Sequence, residues 1–65
     1  MMTKKQAVAV WREDVLPSVK EQYEQDGRPD RVARSESWND WIDMMIRDRC
    51  VPRSAGDWTH PRECG

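Results

Sequence analysis

Apolar side chains are sparse along this chain, and most of them recur at helical steps. Val8, Trp11, Val15, Val19 and Tyr23 follow one another at intervals of three and four, which sets them on one side of a helix at about 100° per residue. The stretch "ESWNDWIDMM", Glu36 to Met45, mixes two tryptophans with three acids, and the same spacing sorts them. Trp38, Trp41, Ile42, Met45, Ile46 and Arg49 form an i, i+3, i+4, i+7 series, with Glu36, Asp40 and Asp43 roughly opposite. Val32 lies off that stripe.

The ends of these segments carry their own signals. "TKKQ", Thr3 to Gln6, fits a capping box and starts a helix at Lys4. Pro17 removes the amide that would bond the carbonyl of Glu13, and its ring crowds that turn. Because the stripe continues through Val19 and Tyr23, a kink is expected there rather than a stop. "DGRPD", Asp26 to Asp30, reads as the break, with Gly27 free to take the left-handed C-terminal position and Asp30 able to cap the next helix. That helix is predicted from about 31 to 49. Beyond it, one short helical turn with Pro52 at an early position folds Trp58 back as a plug, and residues 60–65 read as a tail. The predicted architecture is all-α: two long antiparallel amphipathic helices, the first kinked at Pro17, closed by a short third helical turn in one domain.

Composition sharpens this picture. A chain of 65 residues buries only about 60% of the surface its unfolded form exposes, so stability is marginal. With one Leu and no Phe, the four Trp must supply much of the core at roughly 150 to 250 Å² each. The longest apolar run, Ala7 to Trp11, is far below the ~20 residues a membrane helix needs. The chain therefore reads as a soluble, intracellular protein and a monomer. Acids and bases nearly cancel, 12 against 11 with pI ≈ 5.7, which argues against a general nucleic-acid binder.

Catalytic chemistry finds little support. His60 is the only histidine, and no Ser, Cys or acid stands at a spacing that suggests a nucleophile with its base, so no enzyme and no cofactor is expected. Cys50, His60 and Cys64 match no common zinc spacing, and no metal is expected. A Cys50–Cys64 disulfide would close a short loop and contribute ~3 kcal/mol, whereas a reducing cytosol would leave two free thiols. The sequence leaves both states open.

The placement of charge says more than its sum. Asp14, Glu21 and Glu24 stack along the first helix with Glu13 beside them, and Glu36, Asp40 and Asp43 do so on the second. Bases collect elsewhere, at Lys4 and Lys5, at Arg28, Arg31 and Arg34, and at Arg47, Arg49 and Arg53. Such stripes are most often solvated faces. A sharper reading is that rows of carboxylates imitate nucleic-acid phosphates and are drawn to the basic groove of a DNA-binding machine. On that reading the partner-binding residues are Glu13, Asp14, Glu21, Glu24, Glu36, Asp40 and Asp43, and reversal of Glu21 and Glu24 to Lys is expected to spare the fold.

Taken together, "MTKKQAVAVWREDVLP", "ARSESWNDWID" and "DWTHP" resemble a group of small phage- and prophage-encoded helical proteins, over most of residues 2 to 61. Members of that group carry a Thr-Asp-Ala-Leu-Cys type segment after the second Trp, where this chain has Ile42 to Ile46, and this chain adds Arg62 to Gly65. The chain is further similar to anti-CRISPR inhibitors, most closely those of type I-C systems. That resemblance implies a phage-borne inhibitor acting in the host bacterial cytoplasm, which binds the multi-subunit surveillance complex, Cascade, and keeps it from target DNA.

Two other classes compete with this reading. A small DNA-binding regulator would use the second helix and the Pro52 to Trp58 turn as a helix-turn-helix, with Arg28, Arg31, Arg34, Arg47 and Arg53 on phosphates. An interaction module for another host or phage protein would use Met44 and Met45 as an adaptable apolar contact.

Overall fold

The computed structural model describes residues 1–64, in which Lys4–Val10 forms α1, Leu16–Tyr23 forms α2 and Arg31–Arg47 forms α3. No strand occurs among the described residues, so the fold is all-α, as the periodicity predicts. α1 begins at Lys4 behind the expected box: the Thr3 hydroxyl accepts from the Gln6 amide at 3.3 Å, and the Gln6 side chain accepts from the Thr3 amide at 3.0 Å. Two donors that the first turn leaves unpaired are thereby satisfied.

Pro17 is accommodated by a wider turn upstream of it. Trp11–Val15 is a π turn, in which the Leu16 amide bonds the Trp11 carbonyl, and Pro17 then stands in the first turn of α2, where a missing amide matters least. The segment continues through Pro17, as expected, but as a π turn followed by a new helix rather than as one regular helix. An i→i−5 bond also shifts the register, so Leu16 is buried at 4% exposure while Val15, on the predicted stripe, is only half-buried. The buried positions are Ala7, Trp11, Leu16 and Val19. Tyr23, expected in the core, is 53% exposed at the last position of α2.

The loop between the helices is built by local bonds. Gly27 has φ +81°, as its position suggested, but it lies beyond the end of α2, which already closes with the Glu24 amide on the Lys20 carbonyl. Asp30 caps α3, its carboxylate accepting from the Ala33 amide at 3.0 Å. α3 ends at Arg47, two residues before the predicted 49. The Cys50 amide reaches the Met45 carbonyl at 2.8 Å and the Arg49 amide reaches Ile46 at 3.1 Å, a Schellman closure with Arg49 at φ +60° where glycine is usual. Arg49 is therefore exposed rather than part of the apolar stripe.

Contacts at both ends make the chain double back. The Met2 amide bonds the Cys50 carbonyl at 2.8 Å at one end, and Arg34 pairs with Glu24 at the other. Between them Trp11 and Trp38, at 0% and 1% exposure, meet edge to face with ring centroids 5.7 Å apart and planes at 89°. Trp41 continues the cluster at 5.8 Å from Trp38, and Val51 and Ala55 are buried in the same core. The indole N–H of Trp11 has no hydrogen-bond partner among the described residues, which costs about 1–3 kcal/mol and must be offset by packing.

The C-terminal third folds over this core. Pro52 precedes a 3-10 turn at Arg53–Asp57, after which Trp58 lies half-buried against the cluster, in the role of plug that its position suggested. Residues 60–64, read from sequence as a tail, are docked. Arg62–Cys64 forms a second 3-10 turn, Pro61 and Cys64 are buried, and the Ser35 hydroxyl donates to the Cys64 carbonyl at 3.3 Å. Gly65, the last residue of that expected tail, lies outside the described residues.

Trp38→Ala should cost about 3–5 kcal/mol, which is most of the stability available to so small a domain. A urea titration followed by circular dichroism should find the variant largely unfolded at 25 °C. Arg49→Gly should do the opposite, relieving a left-handed backbone for a gain of about 1 kcal/mol, read as a higher urea midpoint.

Candidate functional site

The acidic residues divide into two populations. Glu13 and Asp14 in the π turn, Glu21 on α2, and Glu36 and Asp40 on α3 are exposed and make no ion pair among the described residues. Asp43 accepts from Arg47 at 3.1 Å one helical turn on, but both side chains are more than 70% exposed, so solvent screens that pair and it holds the carboxylate only weakly. Glu36 and Asp40 stand four residues apart on one helix, a like-charge arrangement that costs about 0.2–0.5 kcal/mol. It adds nothing to the fold.

Glu24 belongs to the other population and is a correction to the sequence reading. Its side chain is 7% exposed and grips the Arg34 fork through two bonds, Nε to Oε2 at 2.6 Å and Nη2 to Oε1 at 2.7 Å. It also accepts from the Asp30 amide at 3.1 Å, and Arg34 Nη1 donates to the Glu63 carbonyl at 3.0 Å. Loop, α3 and C-terminal turn are thereby tied at one point. The hydrogen bonds from Arg34 hold the Glu24 carboxyl below its ordinary 4.5, and those bonds hold Arg34 above its own ordinary value. Glu63 is likewise lowered by a two-pronged bond from Arg12. Sequence gave no signal for either pairing, because the partners lie 10 and 51 residues apart.

Between α2 and α3 runs a groove of about 420 Å³. Val15, Val19 and Tyr23 line one side with Ser18 and Gln22; Trp41 and Met44 line the other with Ser37, Glu36 and Asp40. The acids were expected opposite both tryptophans. That holds for buried Trp38, but Trp41 is half-buried at the edge of the stripe and shares the groove with Glu36 and Asp40, since Ser37 and Met44 bridge the angle between them. Met44 is 44% exposed at the groove's rim, whereas Met45 packs on the core.

The remaining candidates fall out differently. Cys50 and Cys64 are free thiols, not a disulfide. Cys64 lies beside Ser35 near the start of α3 and Cys50 lies past its end, so about 18 Å of helix separates them, far beyond the span of a disulfide. Burial pushes the Cys64 thiol up to about 11. No group of three or more His, Cys, Asp or Glu able to hold a metal occurs among the described residues. No described helix is long and apolar enough to cross a membrane. The proposed helix-turn-helix is not formed: Arg53–Asp57 is a five-residue 3-10 turn, too short to fill a major groove. The bases are split, Arg28 and Arg31 standing at one end of α3 and Arg47, Arg49 and Arg53 at the other, about 25 Å away.

No family model, curated protein or solved structure matches the chain.

Two measurements test this arrangement. Glu24 and Glu63 have lowered values when folded, so an unfolded chain takes up their protons first as pH falls. Their stabilisation is fully present above about pH 4.5 and is lost as pH falls through the lowered folded values. The melting temperature should hold between pH 7 and 5 and drop below about 4.5, with a shallower drop in Glu24→Gln. In contrast to the sequence expectation, Glu24→Lys should lower the melting temperature at pH 7 by about 5 °C or more, since it sets a second cation against nearly buried Arg34. Under native conditions a maleimide should label Cys50 quickly and Cys64 only on unfolding, as peptide mass mapping would record.

Proposed function

We propose that this protein is a phage-borne anti-CRISPR inhibitor that binds a type I Cascade surveillance complex, most closely that of type I-C systems, and blocks its engagement of target DNA. The inhibitor acts as a monomer in the host bacterial cytoplasm, and its acidic exterior occupies the basic groove in which Cascade holds DNA. The observation that carries this reading is that, among the described residues, the exposed carboxylates Glu13, Asp14, Glu21, Glu36 and Asp40 of the predicted surface make no ion pair, with Asp43 only weakly held. Such groups, uncompensated at neutral pH, steer a molecule toward a positive groove and compete there with phosphates. The chain's likeness to type I-C anti-CRISPR inhibitors suggests the target, whereas the segments around Trp11, Trp38 and Trp58 carry the likeness to small phage-encoded helical proteins. Glu24 leaves the proposed contact set, because its charge is already spent on Arg34.

A second reading, nucleic-acid contact by the protein itself, is favoured by one feature. Arg47, Arg49 and Arg53 surround a cleft of about 530 Å³ floored by Ile46 and Val51, where guanidinium groups would meet phosphates.

The test is a gel-shift competition with reconstituted type I-C Cascade and a labelled target duplex. Wild-type protein should prevent the shifted complex, and the Glu13→Lys, Asp14→Lys, Glu21→Lys triple variant should need at least about tenfold more protein while keeping its helical circular dichroism. Undiminished inhibition by the triple variant would reject the acidic surface. Direct shifting of the duplex by the protein alone at moderate salt, lost in Arg49→Ala with Arg53→Ala, would favour the second reading instead.

A further inference from the structure

The groove between α2 and α3 differs from the rest of the acidic exterior in combining charge with exposed apolar and aromatic surface. Glu36 and Asp40 rise from consecutive turns of α3 on its rim, and neither has an ion-pair partner among the described residues. Val15, Val19 and Met44 supply aliphatic walls, while Trp41, half-buried, and Tyr23, 53% exposed, supply ring surface. A phosphate-mimicking face needs none of these apolar groups. A volume of about 420 Å³ lies within the range of pockets that bury a small ligand or a side chain with its neighbours.

The side chain that answers every part of this lining is arginine. Its guanidinium is planar, weakly hydrated and always charged, so it bonds carboxylates in pairs and stacks on aromatic faces. Its methylene stem covers apolar surface while the head stays on the rim. Lysine offers a compact, strongly hydrated charge that gains less from rings and from a two-carboxylate rim. An anionic ligand is repelled by the rim, and a purely apolar one leaves two carboxylates partly desolvated without a partner.

We propose that the α2–α3 groove is a docking slot for an arginine of a partner protein, the guanidinium bridging Glu36 and Asp40 and the stem lying along Val19 and Met44 against Trp41. This deepens the acidic-inhibitor reading and rests on it for the partner's identity: the outlying carboxylates attract a basic surface, and the slot selects one arginine on it.

The probe is a short peptide, acetyl-Gly-Leu-Arg-Leu-Gly-amide, with its lysine counterpart, titrated into the full-length 15N-labelled protein. The arginine peptide should shift the amides of Ser37, Asp40 and Met44 and the Trp41 indole resonance, saturably, and the lysine peptide should bind at least about fivefold more weakly. Glu36→Gln with Asp40→Asn should reduce arginine-peptide binding by about fivefold or more, whereas Glu13→Gln with Asp14→Asn should leave it within about twofold. Shifts spread evenly over all acidic positions, or equal binding of both peptides, would overturn the slot. The same variants run in the Cascade competition separate the two ideas. Loss of inhibition in the Glu13, Asp14 and Glu21 reversal without arginine selectivity leaves the acidic surface and removes the slot. Arginine-selective binding without any effect on Cascade keeps the slot and removes the target.

Discussion

The contact on which this molecule depends is the meeting of Trp11 and Trp38 at the middle of the hairpin. With a single leucine and no phenylalanine, these two rings, among the largest fully buried side chains, supply much of the contact between the helices. The edge-to-face geometry at 5.7 Å keeps two large rings in contact without stacking their like-charged faces. It has a cost in the buried indole N–H of Trp11, which has no partner among the described residues. It also constrains the backbone: the π turn begins at Trp11, and the wider winding brings Leu16 into the core and passes the chain smoothly over Pro17. In a chain this short, one aromatic contact and one irregular turn fix the relation of the two helices.

A second constraint decides what the surface carries. Arg34 holds Glu24 with both nitrogens of its fork and the Glu63 carbonyl with another, and Arg12 holds the Glu63 carboxylate, so two bases and two acids are consumed in closing the fold. Breaking the Glu24–Arg34 pair leaves a nearly buried charge alone, which is why these two residues behave as structure rather than as surface. What remains is uneven. Carboxylates without an ion pair among the described residues stand in the π turn, on α2 and on the rim of the α2–α3 groove, and guanidinium groups stand toward the two ends of α3.

The groove draws these features together. Tyr23 and Trp41, toward the edge of the stripe, leave ring surface open beside carboxylates that have no ion-pair partner among the described residues. An exterior made only of charge would attract any polycation. Apolar walls next to two carboxylates discriminate among cations by the shape and hydration of the side chain that enters, and this is how a general attraction becomes a particular contact.

Sequence by itself determined whatever depends on neighbours three or four residues apart. The box at Thr3 and Gln6, the cap at Asp30, the left-handed Gly27 and the inward face of Trp38 and Ile42 all follow from bonds and spacings within a single turn of chain. Tertiary structure alone decided which acid is free and which is paired, because Glu24 and Glu21 are alike in sequence and differ only in whether an arginine ten residues away can reach them. It also decided that residues 60–64 dock, since the atoms that hold them belong to α3 and the π turn. The displacement of Val15 by Leu16 was hidden for a related reason: period 3.6 is a property of a regular helix, and the turn at Trp11–Val15, wound between the buried Trp11 and Pro17, is not one.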